Sequence, residues 1–293
     1  MANARIIVKR RKSVRNIRKI TRTMQLIATA RFQAAYSRAM ATKPYAERLA
    51  ELVADLSNAV GEETTHPLML AQGNAKRSAV VVLTSSRGLC GGYNTGVLRA
   101  AIGHLDNEAA KGVENEVSMV GKKGIGYFRF LRRPMLEQIT HIGDAPRFEQ
   151  VEPMANALMG RFLQGEICSA FVVYMRFYSA GRQKPAVMQL LPLTNEAGVK
   201  QTDGRESTVQ YEFSPIAKEL LAELLPATVR VQLFQCFIDA TVSEQIGRMV
   251  AMKAATEAAA EMITSLTRRY NRARQSAITM ELLDIVGGAN ALA

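Results

Sequence analysis

The sequence predicts a mixed α and α/β protein: a long antiparallel coiled coil built from the N- and C-terminal helices, with a central Rossmann-like α/β domain between them. Three observations carry that prediction. From Pro226 to Val286 there is no further proline and one glycine, Gly247, in a stretch rich in alanine, methionine, glutamate and arginine, residues that lose little on entering a helix. From Ala2 to Val60 there is no glycine, and Pro44 is the only proline. Between these ends, short β-branched runs alternate with helical patterns and glycine-rich turns, the signature of a mostly parallel sheet with an antiparallel edge.

In the C-terminal stretch, Ile238, Val242, Gln245, Met249, Met252, Thr256, Ala259, Ile263, Leu266, Tyr270, Ala273, Ala277 and Met280 follow one another at alternating steps of four and three. Such a heptad seam demands a partner helix. Roughly 60 helical residues make a rod about 90 Å long, more than a globular domain needs. The partner is sought at the other end of the chain, where Ile17, Ile20, Met24, Ile27, Arg31 and Ala34 repeat the spacing. Pro44 is expected to kink or briefly interrupt this helix. Beyond it Tyr45, Leu49, Leu52, Val53 and Leu56 form a second apolar face, and Gly61 ends the helix. Helices at opposite ends of a chain pair antiparallel when the middle segment returns the chain to its start. The expected divisions are therefore 1–61 for the first shaft helix, 76–208 for the α/β domain and 209–293 for the second shaft helix.

In the middle segment, Ser78–Thr84 reads as a buried strand, followed by the turn Ser85–Asn94 and a helix from about Thr95. A second strand, Asn115–Val120, precedes a helix from about Ile125, and Phe148–Phe162 reads as a third helix. Ala170–Tyr178 and Ala186–Leu193 are strands whose turn-rich connection suggests a hairpin, and Asn195–Ser207 is a polar loop.

With 293 residues and 48% hydrophobic content, a sizeable core is available, and a net charge of +12 points to an acidic partner. Cys90, Cys168 and Cys236 are far apart with no CxxC spacing, as expected of small buried hydrophobes in a reducing compartment. No uninterrupted apolar run approaches the ~18 residues that span a bilayer, so membrane association is expected through a partner.

The strand, glycine loop and helix over residues 78–100 have the layout of a phosphate-binding site, but GLCGG lacks the Lys-Ser/Thr of a P-loop and does not match GxGxxG. A tight structural turn is the expectation. His66, His104 and His141 are scattered, and Lys122-Lys123 reads as a solvated loop, so no catalytic residue, cofactor or metal site is expected.

Four segments carry a resemblance: ITRTMQLIATAR (Ile20 to Arg31), SSRGLCGGYN (Ser85 to Asn94), SEQIGRMVAMKAAT (Ser243 to Thr256) and YNRARQSAITMELLDIVGGA (Tyr270 to Ala289). Together they resemble, in order and over essentially the whole chain, the gamma-subunit family of F-type ATP synthase, in its bacterial-type form. The resemblance implies a non-catalytic rotor shaft. It would turn inside a hexamer of alpha and beta subunits, with its α/β foot and an epsilon subunit on the membrane c-ring, at the cytoplasmic face of the bacterial plasma membrane. Carried over by motif, Met24, Arg248, Gln275, Thr279 and Glu281 sit where the family contacts the catalytic subunits. Two segments depart from the family pattern: Ser214-Pro215-Ile216 stands for a common Glu-Pro-Asp, and Thr256-Glu257-Ala258 for Thr-Asp-Asn.

Two other readings remain. The acid-free residues 1–46 and the +12 charge suit a basic coiled-coil nucleic-acid-binding protein, whose affinity would fall steeply with salt. The glycine loop suits a nucleotide-dependent enzyme, which Gly91→Ala or Arg87→Ala would disable.

Overall fold

A computed structural model describes residues 2–60, 66–70, 76–193 and 217–292. Ten main elements follow in order: α1 (Ala2–Val60), β1 (Arg77–Leu83), α2 (Tyr93–Ala110), β2 (Glu114–Val120), α3 (Lys122–Phe130), β3 (Glu137–Ile139), α4 (Phe148–Leu163), β4 (Ser169–Ser179), β5 (Arg182–Leu191) and α5 (Ala217–Leu292). The chain divides into two compact units, one made of Met1–Ala30 with Arg248–Ala293, the other of Arg31–Gly247.

In the larger unit the five strands are ordered β3-β2-β1-β4-β5. All neighbours are parallel except the β4–β5 hairpin. The run Ala79-Val80-Val81-Val82-Leu83 is buried on both faces because alternate side chains enter two different cores. Val80 and Val82 pack with Val97, Ala101 and Phe128 of α2 and α3. Ala79, Val81 and Leu83 face Val151, Ala155 and Phe162 of α4 and Leu225, Val229 and Leu233 of α5. The sheet is thus enclosed by α2 and α3 on one side and by α4 and the first part of α5 on the other.

The hairpin formed as expected, with longer strands. α3 starts at Lys122 rather than Ile125, and the reason is Gly121. It has φ +94°, and a Cβ there would collide with the Thr84 carbonyl. Only glycine allows the chain to turn there and begin the helix at once. Strand β3, three residues at the sheet edge, carries too little alternation to be read from sequence. α1 runs through Pro44 without interruption. The backbone N–H lost at Pro44 costs one hydrogen bond of the helix, while the neighbouring Thr42 hydroxyl bonds the Arg38 and Ala39 carbonyls and the Gln235 side chain of α5. The expected second face of α1 is corrected in part: Leu49, Val53 and Leu56 turn inward, but Tyr45 and Leu52 are exposed. The expected loop Asn195–Ser207, the helix end at Gly61 and Ser214-Pro215-Ile216 lie outside the described residues.

Candidate functional site

α1 and α5 pair antiparallel within each unit. In the larger unit Ala35 and Ala39 pack on Ile238 and Val242. In the smaller unit Val14 packs with Ala259 and Leu266, Thr256 Oγ1 donates to Thr21 Oγ1 at 2.8 Å, and the Arg11 guanidinium lies 5.1 Å over the Tyr270 ring. Rising numbers on α1 meet falling numbers on α5, as an antiparallel coil requires.

The α5 seam lies where the spacing places it. Every position from Ile238 to Ala277 in that series is buried or half-buried, and only Met280 is exposed. The α1 seam is different and corrects the sequence reading. Ile17, Ile20, Ile27 and Ala34 are exposed, and the inward row is Ile7, Arg11, Val14, Thr21, Gln25, Ala28, Phe32, Ala35 and Ala39. Small side chains at the contact let two helices approach closely. Alanine and threonine therefore take much of the seam, and Ile17, Ile20 and Ile27 stand outside it.

The outer surface of the smaller unit consequently mixes aliphatic and cationic groups. Ile6, Ile17, Ile20, Leu26 and Ile27 on α1 and Val250, Met262, Ile278 and Met280 on α5 are exposed. Arg10, Arg15, Arg18 and Lys19 of α1 and Arg268, Arg269 and Arg272 of α5 are exposed among them. None of these cations forms an ion pair among the described residues. Near the chain ends, a groove of about 570 Å³ between the helices is lined by Arg5, Lys9 and Lys12 against Tyr270, Arg274 and Glu281.

Of the residues carried over by motif, Gln275, Thr279 and Glu281 lie exposed on this surface, with the Thr279 hydroxyl donating to the Gln275 carbonyl at 3.0 Å. Met24 is half-buried. Arg248 is only 6% exposed, so it is a packed side chain of the helix rather than a solvated charge. Spacing alone does not reveal this, because arginine is seldom fully buried.

The glycine loop follows β1 at the point where strand order reverses, the crevice in which doubly wound sheets take their ligands. Here its polar groups are used internally. Ser85 N–H donates to Asn94 Oδ1 at 3.0 Å, Asn94 Nδ2 donates to Ser85 Oγ at 2.8 Å, and Tyr93 Oη donates to the Leu83 carbonyl at 3.2 Å. α5 covers the loop: a Cβ on Gly247 would stand 2.8 Å from the Cys90 carbonyl oxygen, and Ser243 Oγ donates to the Met175 carbonyl of β4 at 3.1 Å. The tight structural turn expected from sequence is what the chain forms.

Cys90 and Cys236 are buried, whereas Cys168 is half-exposed with its thiol donating to the Arg77 carbonyl. Burial pushes the Cys236 thiol and the Tyr174 hydroxyl beside it well above their ordinary values. The same burial raises Asp239 to about 6, against the opposing effects of the Gln235 side chain, the Phe177 backbone N–H, Arg176 and Lys43. A carboxyl whose folded value is raised above its unfolded value favours folding when protonated. Its contribution is full below the unfolded value near 3.8 and is lost as pH rises through about 6. Asp239→Asn should therefore raise stability at pH 7.5 by up to about 2–3 kcal/mol, with little gain at pH 4. Denaturant midpoints at the two pH values check this; equal gains at both would remove Asp239 as the titrating group.

Within each unit the two terminal helices pair antiparallel, and in the larger unit they accompany a doubly wound sheet whose crevice is covered by the chain's own helix. Solved structures carry the same fold: a chain of the Euglena gracilis mitochondrial ATP synthase, from a cryo-EM structure of OSCP, F1 and the c-ring in rotational state 3, matches with a TM-score of 0.68 at 18% identity over 99% of this chain and 95% of that one. A chain of the Tetrahymena thermophila ATP synthase central stalk and c-ring matches with a TM-score of 0.60 at 19% identity, over 80% of this chain and 99% of that one. The family model described as ATP synthase matches residues 3–292. The ATP synthase gamma chain of Rhodopirellula baltica is 42% identical over 295 residues, covering 100% of this chain and 99% of that one. That of Leptospira biflexa is 40% identical over 293 residues, with both chains covered in full. The chain belongs to the ATP synthase gamma-chain family, and nothing in these relatives supports the nucleic-acid alternative.

Proposed function

We propose that this chain is the non-catalytic rotor shaft of an F-type ATP synthase, coupling ion flow through a membrane ring to ATP synthesis and hydrolysis. The observation that carries this reading is the outer surface of the helix pair, where aliphatic side chains alternate with cations that have no carboxylate partner among the described residues. Aliphatic groups slide in a collar without forming directional bonds, while the cations suit acidic levers on catalytic subunits. A single shaft has no threefold symmetry. Inside a threefold ring it presents a different face to each catalytic site, so the sites cannot share one conformation.

In this reading 1–61 and 209–293 form the shaft and 76–208 the foot. The shaft turns within the alpha and beta subunits, and the foot stands with an epsilon subunit on the c-ring at the cytoplasmic face of the membrane. Gln275, Thr279 and Glu281 meet the hexamer directly. Met24, only half-buried, meets the hexamer with the part of its side chain left outside, whereas Arg248, being packed, acts mainly by fixing the helix pair that presents those contacts. α5 is long and apolar enough by composition to cross a bilayer, but its apolar residues Leu225, Val229, Leu233, Ile238 and Val242 are buried within the protein.

Copurification at moderate salt tests the proposal. The chain should bring down the ring subunits, should neither bind nor hydrolyse ATP alone, and should be required for rotary hydrolysis when mixed with them. Hydrolysis and pumping that proceed equally well without the chain would refute the assignment.

A further inference from the structure

The end of α3 carries a second surface that the shaft does not use. Phe128 is fully buried beneath it, whereas Phe130 is 81% exposed, and Tyr127, Leu131 and Leu136 are exposed around it. This is a fixed feature of the fold: Arg133 N–H donates to the Phe128 carbonyl at 3.0 Å, Arg132 closes the helix at φ +55°, and Leu136 N–H donates to the Val117 carbonyl at 2.8 Å. The charged side chains of residues 127–136 are all cations, with the exposed carboxylate of Glu137 directly after them. Arg133 is held by Asp106, but Arg129 bonds only the neutral Gln138, and Arg132 has no carboxylate partner among the described residues.

The topology places this tip at the rim where the parallel strands begin and the helices of the α/β domain end. That rim is opposite the one where α5 covers the glycine loop. The tip is convex, made of one protruding aromatic and flanking leucines and arginines. A fluid surface closes around such a shape, whereas a protein partner would need a preformed pocket to take the ring.

We propose that the α3 tip, with Phe130, Leu131 and Leu136 projecting among Arg129 and Arg132, contacts the anionic headgroup layer of a phospholipid bilayer. The apolar side chains enter the headgroup boundary and the guanidiniums meet lipid phosphates, the pairing that gives amphipathic basic segments their membrane affinity. The proposal rests on the membrane-associated role proposed above, which brings the chain to an anionic bilayer. Its test uses the chain alone, so its failure would leave the coupling role standing.

The chain has no tryptophan, so Phe130→Trp supplies a single reporter. With vesicles of equimolar phosphatidylglycerol and phosphatidylcholine, its emission should shift to the blue and be quenched by brominated acyl chains. Sedimentation with the same vesicles should show Phe130→Ser/Leu136→Ser binding roughly tenfold more weakly than the unaltered chain, at unchanged net charge and melting temperature. Arg129→Gln/Arg132→Gln should bind more weakly and with less dependence on salt. Two results would each overturn the proposal. One is a reporter emission in the Phe130→Trp variant that moves only on adding ring subunits; the other is a serine variant that binds lipid like the parent, which would trace binding to the net +12 charge alone.

Discussion

Val242→Asp should destabilise the protein by at least about 4 kcal/mol, the order expected when an unpaired carboxylate is placed in a dry apolar seam. Val242 is completely buried and packs with Ile238, Ala35 and Ala39, with Phe32, Phe177 and Phe234 at the margin. No described cation is packed in that cluster to receive the charge. The control is Val250→Asp a few residues along the same helix, where the side chain is 56% exposed. There the cost should be within about 0.5 kcal/mol. Denaturant midpoints of the two variants separate the effects. If both melted alike, the α1–α5 contact would not hold these helices together, and the shaft reading would lose its physical basis.

The sequence made the α5 seam legible because that helix buries what periodicity counts: Ile238, Val242, Met252, Ile263 and Leu266 are large, apolar and correctly spaced. It misplaced the α1 seam for the converse reason. Large isoleucines dominate any count of hydrophobic spacing, yet Ile17, Ile20 and Ile27 are turned outward while Ala28, Ala35 and Ala39 lie within. A seam chosen for close approach hides among small residues, and the exposed isoleucines are intelligible only when something outside the chain is there to meet them. Likewise β1 was legible as an unbroken β-branched run, since both its faces are covered. β3 was not, because three residues show no period. The glycine loop was legible as a turn from its missing P-loop residues. That α5 itself fills the crevice above it depends on Gly247 and Ser243 meeting Cys90 and Met175, residues too distant in sequence for any local pattern to join. The burial of Arg248 depends in the same way on tertiary packing.

Met24→Lys should separate stability from coupling. Met24 is half-buried on α1, one turn from the Thr21 hydroxyl that accepts the hydrogen bond of Thr256. A lysine there can extend its charged end to solvent along its apolar stem, so folding should suffer by only about 1 kcal/mol. Function should suffer more. The new ammonium adds to a surface already crowded with Arg18, Lys19 and Arg22, and its charge must be carried past every catalytic subunit in each turn. In the proposed role, an uncharged thioether that slides past the collar is replaced by a charge that binds some of its faces and repels others. Ions pumped per ATP hydrolysed should therefore fall while hydrolysis itself persists, because turnover no longer commits the shaft to a full step. The measurement is ATP-driven acidification of membrane vesicles against phosphate release in the same sample. Met24→Leu, which keeps size and neutrality, should restore the ratio. If the lysine variant pumped as efficiently as the parent, Met24 would be a packing residue alone, and the contact band would have to be sought further along, at Gln275, Thr279 and Glu281.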